Sequence, residues 1–318
     1  MIDMERRCLY CYQPLNDGET DFHARCSRKF FGTSVAPLLP YTREHIGELA
    51  REIIRTQTTL TGIQPKLSLD LQKTKEAQGR LTIVGALGGH YILKPQTEQF
   101  PHLPEVEDLS MHIAEILRIE TVPHSLIRFS DGELCYITRR IDRTPVGTKI
   151  AMEDMCQLSE RLTEDKYKGS HERVAKIIAT YSGSAGLDLV KYWEQVVFTF
   201  IIGNADMHLK NYSLYAPDNE AFQITPAYDL LSTKLVMPED TEELALTLCG
   251  KKRNLKRDHF VSAMADCGLS TKVIDKIFAK YGKALPKIHR LIAGSFLPAE
   301  MQSRLIKIIE TNLKIISQ

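Results

Sequence analysis

The chain has 318 residues, of which 43% are hydrophobic and 25% are charged, and its formal net charge is +1. These proportions are typical of a globular protein and exclude a disordered or collagen-like chain. The longest apolar run, Val196–Gly203, is too short to span a bilayer, and no apolar signal core follows Met1–Arg7. We therefore expect a cytoplasmic protein with no membrane partner, and leave export by another signal open.

The N-terminal segment contains two pairs of potential metal ligands. Cys8 and Cys11 are separated by two residues, as are His23 and Cys26. This spacing is like that of a zinc knuckle, because ligands two residues apart can grip one ion from a tight turn. Ordinary buried cysteines are the alternative, and the sequence alone does not decide for zinc. The seven cysteines are scattered and odd in number, which argues against a disulfide framework.

A hydroxyl-rich loop, Thr58–Leu69, leads into the alternating apolar residues of a predicted strand. The backbone N–H groups of such a loop, around Gly62, could lie over nucleotide phosphates. A plain turn is the alternative, since one glycine is a weak signal.

Two further strands are predicted at Leu81–Val84 and Tyr91–Pro95. Lys94 ends the second apolar run. On a central strand it would hold the α- and β-phosphates of a nucleotide, as in protein kinases, whereas an edge-strand lysine would be unremarkable in function. Pro104–Ile119 is predicted to be an amphipathic helix with Glu107 in its first turn. Glu107 could complement the helix dipole, pair with Lys94, or do both.

Strands predicted at Ser125–Phe129 and Leu134–Thr138 precede a charged stretch, Arg139–Arg143. We interpret this stretch as a connector between two lobes. The chain from there to Ile202 is predicted to be mainly helical, and helices return from Asp258 onward.

The strongest motif is an aspartate followed five residues later by an asparagine, Asp206 and Asn211. This is the spacing of a phosphoryl-transfer catalytic loop, in which the carboxylate accepts a hydroxyl proton and the amide oxygen holds a magnesium ion. A predicted hairpin, residues 212–224, then leads to Asp229, where a second metal ligand is expected. Turn residues without catalytic function are the alternative.

Positive charge is concentrated in the C-terminal part. Residues 244–318 contain 14 Lys/Arg and 5 Asp/Glu, so the preceding part is acidic. An acidic partner or nucleic acid near this end is one interpretation. A solvated helical surface is the other.

Together, these motifs resemble those of the HipA family of bacterial toxin serine/threonine kinases, most closely its shorter HipT branch. The resemblance runs from about Thr58 to about Leu269. It rests on five ordered motifs: Leu60–Leu69, Ile92–Pro95, Arg140–Arg143, Gly203–Asn211 and Tyr228–Leu230. It implies an α+β, two-lobed protein-kinase-like fold, with a sheet in the small lobe and a mostly helical large lobe. The implied limits are 1–138 for the N-lobe, 139–143 for the connector and 144–318 for the C-lobe.

The resemblance also implies roles for individual residues, with ATP and Mg²⁺ as cofactors. Asp206 resembles the general base, and His208 and Lys210 complete the catalytic loop. Asn211 and Asp229 resemble the magnesium ligands. The implied ATP-binding positions are Thr61, Gly62, Gln64, Lys66, Lys94, Glu107, Arg139, Ile141 and Asp142. Of these, Arg139–Ile141 resembles the segment whose backbone reads adenine, and Asp142 lies where the family is expected to meet the ribose. Thr59 and Thr61 stand where the family's loop often carries serine, and we expect autophosphorylation at one or both.

Partners are implied by the same resemblance. The glycine-rich loop begins near residue 59, so the extra N-terminal subdomain of HipA is expected to be missing. A HipS-like small protein is expected to supply it, as in the HipBST arrangement, and a HipB-like DNA-binding antitoxin is the other expected partner. DNA would be contacted at most indirectly, through that antitoxin. The expected substrate is a protein, and the family suggests an aminoacyl-tRNA synthetase, whose modification would inhibit translation.

Two alternatives to a toxin protein kinase follow from the residues themselves. The same parts can serve a small-molecule kinase of similar architecture. The basic C-terminal part and the Cys/His pairs would also suit a non-catalytic nucleic-acid-binding protein, whose binding would be salt-sensitive. The complete set of Lys94, Asp206, Asn211 and Asp229 favours the protein kinase.

Overall fold

A computed structural model of the chain describes residues 6–46, 48, 66–72, 78–84, 88–217 and 221–317. The chain divides into two compact units. The first comprises residues 1–108, 122–148 and 294–297, and the second comprises residues 109–121, 149–293 and 298–318.

The first unit is built on a five-stranded antiparallel sheet. The strands are β1 (Leu67–Gln72), β2 (Arg80–Ile83), β3 (Tyr91–Lys94), β4 (His124–Arg128) and β5 (Leu134–Arg139). In β1, alternating apolar residues place one face in the core, whereas β4 and β5 each have four consecutive buried residues. The spatial order is β2-β1-β3-β5-β4, so β3 is the central strand.

Two of the helices in the described part of the chain accompany this sheet. The first helix, α1 (Ala24–Phe31), ends at Gly32, which adopts the left-handed conformation that commonly terminates helices (φ 81°). Phe30 and Phe31 at its end lie against the ring of Tyr91 in β3, with centroid distances of 5.9 and 6.0 Å. The second helix, α2 (Leu103–Ile116), begins in the first unit, and its residues from 109 onward belong to the second.

The observed bounds of α2 correct one detail of the sequence analysis. The helix begins one residue before the predicted Pro104 and ends at Ile116, three residues before the predicted Ile119. Arg118 follows in the left-handed region (φ 55°), which ends the helical hydrogen bonding. Glu107 therefore lies in the second turn, beyond the first turn, where the helix dipole acts most strongly.

The second unit is mostly helical. Its centre is a helix whose last eight residues are all buried, as expected for a helix that is apolar all round. A small antiparallel sheet of three strands in the order β6-β7-β8 lies in the same unit. Its elements are β6 (Ala151–Asp154), α3 (Met155–Leu158), α4 (His171–Tyr181), α5 (Ala185–Ile202), β7 (Ser213–Ala216), β8 (Gln223–Ile224), α6 (Thr233–Val236), α7 (Arg257–Asp266), α8 (Thr271–Ala293) and α9 (Ala299–Ser317).

Local sequence signals explain several of these element ends. Asp154 and Gln157 form a capping box at the start of α3. The Ser170 side chain accepts a hydrogen bond from the Arg173 N–H at the start of α4. Gly203 ends α5 in the left-handed conformation (φ 68°). Among the described residues, no helix combines the length and apolarity needed to cross a bilayer.

One buried side chain predicts a pH dependence of stability. His171, the first residue of α4, is 0% exposed, and its Nδ1 lies 2.7 Å from the Tyr192 hydroxyl. Burial lowers the pKa of His171 from 6.5 to about 4. The unfolded chain therefore takes up this proton near pH 6.5 and the folded chain only near pH 4. Protonation favours unfolding across that window, and the free energy of unfolding falls by about 3 kcal/mol as pH drops through it.

We expect the free energy of unfolding of His171→Gln to decrease less as the pH is lowered, because the variant has no imidazole to protonate at that position. The measurement is denaturant unfolding of both proteins at intervals between pH 4.5 and 7. His45→Gln, which changes an exposed histidine, is the control and should keep the wild-type slope. Equal slopes for wild type and His171→Gln would contradict the prediction.

Candidate active site

The first unit holds Lys94 and Glu107 as a buried ion pair. The Lys94 ammonium group donates to Glu107 Oε1, and their side chains are 5% and 2% exposed. The Lys94 Nζ atom also lies 5.3 Å from the centroid of the Tyr136 ring, on the neighbouring strand β5. Because β3 is central in the sheet, the edge-strand interpretation of Lys94 does not apply. The pair has the form in which kinases fix their phosphate-binding lysine.

The segment predicted to meet the adenosine begins at the end of β5. Arg139 is exposed, and its backbone N–H donates to the Pro123 carbonyl at 2.9 Å, while the Arg140 N–H donates to the His90 carbonyl at 2.8 Å. Ile141 is half-buried. Two of the three backbone N–H groups in Arg139–Ile141 are therefore already used in hydrogen bonds within the protein.

Asp142, predicted to meet the ribose, is held by two arginines. Arg140 binds its carboxylate in a bidentate manner at 2.9 and 2.8 Å, and Arg143 Nη1 donates to Oδ2 at 2.6 Å. Burial alone would raise the pKa of Asp142, but the hydrogen bonds and charges of the two arginines outweigh it and lower that pKa. The carboxylate stays ionised and fixed in orientation.

In the second unit, the loop after α5 carries the Asp206/Asn211 motif. It is anchored to the last turn of α5, where the Asn204 N–H donates to the Thr199 carbonyl at 2.8 Å. Ser232 and Thr233 add two hydrogen bonds, one to the end of α5 and one to the loop itself. Ser232 Oγ donates to the Ile202 carbonyl at 2.6 Å, and Thr233 Oγ1 accepts from the Ala205 N–H at 2.8 Å. These bonds fix the backbone on which the candidate catalytic side chains stand.

Asn211 is oriented by a hydrogen bond to the residue five positions before it. Its Nδ2 donates to the backbone carbonyl of Asp206 at 3.0 Å, and Asn211 is 8% exposed. Because an amide has its donor and acceptor on opposite arms, this bond directs Oδ1 away from the loop backbone. An amide oxygen beside carboxylates is a donor set that Mg²⁺ prefers.

The Asp206 carboxylate is half-buried and already accepts a hydroxyl hydrogen bond. Tyr167 donates to Asp206 Oδ1 at 2.5 Å, and its ring meets that of His208 edge-on at 5.0 Å between centroids. Burial and the bond to Asp206 raise the pKa of Tyr167. Tyr167 therefore remains a hydrogen-bond donor to this carboxylate at physiological pH.

His208 and Asp229 lie close enough to interact electrostatically. Burial lowers the pKa of His208 to about 4, although the carboxylates of Asp206 and Asp229 both act to raise it. His208 is therefore neutral near pH 7. Asp229 itself adopts the left-handed conformation (φ 56°), an uncommon choice for a non-glycine residue and one that recurs at functional sites. Asp206 and Asp229 thus place two carboxylates near one neutral imidazole.

Lys210 and Tyr228 tie the loop to the small sheet. Lys210 Nζ donates to Asp154 Oδ2 at 2.8 Å, at the end of β6. The Tyr228 hydroxyl lies 2.6 Å from Ser213 Oγ and donates to the Lys210 carbonyl at 3.1 Å. The residue before Asp229 is therefore bound directly to the candidate catalytic loop.

Four predicted loop residues, Thr59, Thr61, Gly62 and Gln64, lie outside the described residues, and so does the turn of the predicted hairpin, at 218–220. Lys66, also predicted to bind ATP, is described and is exposed immediately before β1.

Several residues that contact the site are far from it in the sequence and were not predicted. Tyr167, Asp154 and Thr233 contact the candidate catalytic loop, and Ser232 contacts the last residue of α5, but none of them belongs to a local motif. Asp154 and Ser232 are common cap or turn types, and nothing in their spacing signals these contacts.

Comparison with known proteins identifies the family of the chain. A family model described as the HipA-like C-terminal domain matches residues 58–288. A relative named "Putative kinase Y4dM" from Sinorhizobium fredii is 32% identical over 230 residues, 68% of this chain and 55% of that protein. The serine/threonine-protein kinase toxin HipA of Shewanella oneidensis is 25% identical over 210 residues, 59% of this chain and 46% of that protein. This chain therefore matches about half the length of each relative.

A solved structure supports the fold. The HipA chain in a complex of the Shewanella oneidensis toxin–antitoxin system, with HipB and operator DNA, matches with a TM-score of 0.68 at 19% identity. The match covers 89% of this chain and 73% of that one. The predicted α+β fold of the kinase-like kind is confirmed.

The buried ion pair yields a prediction about stability. Lys94→Met should lower the free energy of unfolding by about 3–5 kcal/mol, because the Glu107 carboxylate then stays buried without its lysine. The double variant Lys94→Met/Glu107→Leu should regain most of that loss, because neither charge is then buried. Denaturant unfolding of the three proteins measures both effects.

Lys210→Met is the matched control. It removes a lysine whose side chain is 35% exposed in its pair with Asp154, so we expect a loss of no more than about 1 kcal/mol. Similar losses in the two single lysine variants would contradict the prediction.

Proposed function

This chain belongs to the HipA-like C-terminal domain family, and on that premise we propose that it is a toxin serine/threonine protein kinase. The reaction is transfer of the ATP γ-phosphate to a protein hydroxyl. The names of the two relatives support a kinase, and one of them names a serine/threonine-protein kinase toxin. The observation that carries the proposal is the hydrogen bond from Asn211 Nδ2 to the Asp206 backbone carbonyl, which links the two residues whose spacing is that of a phosphoryl-transfer loop.

Asp206 is the proposed general base. The Tyr167 hydroxyl at 2.5 Å shows that a hydroxyl can reach Oδ1 in hydrogen-bonding geometry. A substrate serine or threonine hydroxyl would take the place of the tyrosine and give up its proton to the same oxygen as the phosphate is attacked. His208 is neutral, so it adds no positive charge beside the base.

Asn211 Oδ1 and the Asp229 carboxylate are the proposed magnesium ligands. Their oxygens fit the preference of Mg²⁺ for hard, oxygen-based ligands. The bound ion would neutralise phosphate charge at this position. The chain's own contribution is to hold both oxygens in place, through the bond from Asn211 Nδ2 and through Tyr228, whose hydroxyl is bound to the loop.

The proposed nucleotide contacts in the first unit follow the same reasoning. Lys94, set by Glu107, binds the α- and β-phosphates. The backbone N–H groups of Arg139 and Arg140 are used within the protein, so adenine recognition falls to Ile141 and to the carbonyls of the segment. Asp142 is fixed by two arginines and contacts the ribose. Lys66, Thr61, Gly62 and Gln64 complete the site from the glycine-rich loop.

We propose autophosphorylation at Thr59, Thr61 or both. In an extended loop their side chains point the same way, because residues two apart share a face. A phosphate there adds about −1.5 to −2 charges at neutral pH and repels the ATP phosphates. Phosphorylated protein should therefore be less active.

The proposed lobe limits are 1–138, 139–143 and 144–318. The proposed substrate is an aminoacyl-tRNA synthetase. A HipB-like antitoxin is the proposed partner, supported by the HipA structure that contains HipB and operator DNA. A HipS-like small protein is proposed as a second partner, on the sequence resemblance alone.

Asp206→Asn should abolish phosphoryl transfer and leave ATP binding largely intact. The loss of turnover should be about 100-fold or more, the usual contribution of general acid–base catalysis. The measurement is labelling of a bacterial lysate with labelled ATP, together with mass spectrometry of Thr59 and Thr61 in the purified chain. Asp266→Asn, which changes an exposed aspartate at the end of α7, is the control.

Labelled protein bands in the wild-type sample and their absence with Asp206→Asn support the proposal. Labelling of small molecules alone would replace it with a metabolite kinase. Near-normal labelling by Asp206→Asn would remove Asp206 from the mechanism. Phosphate on the threonines in both proteins would show that another kinase put it there.

Asp229→Ala should weaken ATP binding only when magnesium is present. The apparent affinity for Mg·ATP should fall by about tenfold or more, because losing a ligand costs at least as much as losing one of its supporting contacts. Nucleotide titrations with magnesium and with excess chelator separate the two conditions, and Asp266→Ala is the control. Unchanged Mg·ATP affinity and turnover in Asp229→Ala would show that the metal assignment is wrong.

A further inference from the structure

Four side chains in the first unit converge without any part in the proposed kinase chemistry. Ligand atoms of Cys8, Cys11, His23 and Cys26 all lie within 4.8 Å of one another. His23 Nδ1 is 3.4 Å from Cys11 Sγ and 3.7 Å from Cys26 Sγ. Tetrahedral zinc with ordinary Zn–S and Zn–N bonds requires a sulfur–nitrogen separation of about 3.6 Å. The two observed distances bracket that value.

The histidine has the hydrogen bond that a metal ligand needs. His23 Nε2 lies 2.9 Å from the Pro14 carbonyl, an acceptor, so this nitrogen carries the ring proton. Nδ1 is then the nitrogen with the free lone pair, and it is the one that faces the sulfurs. A backbone carbonyl on the far ring nitrogen is the usual arrangement behind metal-bound histidine. The backbone N–H of His23 also donates to Cys8 Sγ, at 3.5 Å.

Burial and ligand type narrow the choice of ion. Cys8, His23 and Cys26 are 0%, 5% and 6% exposed, and Cys11 is half-buried. Thiolate and imidazole ligands select zinc over magnesium or calcium. Four protein ligands leave no open position, which is the mark of a structural site rather than a catalytic one. The geometry points to a closed, structural Zn²⁺ site made by Cys8, Cys11, His23 and Cys26.

The metal would hold a short segment against the sheet that carries Lys94. From this segment, the Leu9 carbonyl accepts a hydrogen bond from the Leu126 N–H in β4, and Tyr12 donates to Asp108 Oδ2 at 2.7 Å in α2. Phe30 and Phe31 pack on Tyr91, three residues before Lys94. A segment of this size has little core of its own, so zinc binding supplies folding free energy to it.

The first test is metal content of the full chain, purified with a non-thiol reductant from zinc-supplemented cells and exchanged into metal-free buffer. Elemental analysis should find about one zinc per chain. Cys8→Ser/Cys11→Ser should lose it and melt at a lower temperature. Cys249→Ser/Cys267→Ser is the matched control, since both residues are free cysteines of the second unit, and it should keep the wild-type zinc content.

His23→Cys keeps the test decisive if the double serine variant fails to fold. It should retain the metal with four thiolates in place of three. After replacement of zinc by Co²⁺, its sulfur-to-cobalt absorption should exceed that of the wild type by roughly a third, in proportion to the thiolate count. Less than a tenth of a zinc per wild-type chain, equal zinc in the Cys8→Ser/Cys11→Ser variant, or a disulfide among Cys8, Cys11 and Cys26 would overturn the proposal.

Discussion

The carbonyl groups at the end of α5 are the constraint on which the second unit depends. This helix ends inside an apolar core, and each unpaired carbonyl buried there would cost about 1–3 kcal/mol. One partner is Asn204 in the loop that follows the helix, and the others come from two distant parts of the chain: Ser232, and Asn312 in α9, whose Nδ2 donates to the Phe200 carbonyl at 2.8 Å. Hydrogen bonding of the carbonyl groups at the end of α5 therefore brings together the candidate catalytic loop, the segment after Asp229 and the last helix.

Hydrogen bonds within the protein also fix side chains of the candidate site. Lys94 is bound to Glu107, Asn211 to the Asp206 carbonyl, and Tyr228 to Ser213. Functional side chains supported in this way keep their geometry without a ligand. Ser232 and Thr233 form hydrogen bonds with backbone groups that belong both to the core and to the support of the candidate site. Substitutions at either residue would therefore lower the free energy of unfolding and the proposed activity together.

Short-range patterns were enough to place much of this architecture. Apolar alternation located the strands around Lys94 and the hairpin of β7 and β8, and the Asp206/Asn211 spacing located the loop. Short-range patterns did not reveal β6, because Ala151–Asp154 is a short strand with alternately exposed and half-buried residues and no apolar run. They also could not predict that Tyr167 contacts Asp206, 39 residues away, or that Asp154 contacts Lys210, 56 residues away. Such contacts are set by tertiary packing, which leaves no periodic trace in the sequence.

The burial of the Lys94–Glu107 pair has a consequence for control of the proposed kinase. Many switches work by populating a second conformer, and a conformer that separates this pair would leave two charges buried apart. At a cost of about 4 kcal/mol, roughly one molecule in a thousand would adopt it at rest. An effector would need to bind that conformer about a thousandfold more tightly to make the two equally populated. Rearranging a segment that contains no buried ion pair demands far less free energy, so an effector could act on such a segment with a much smaller difference in affinity.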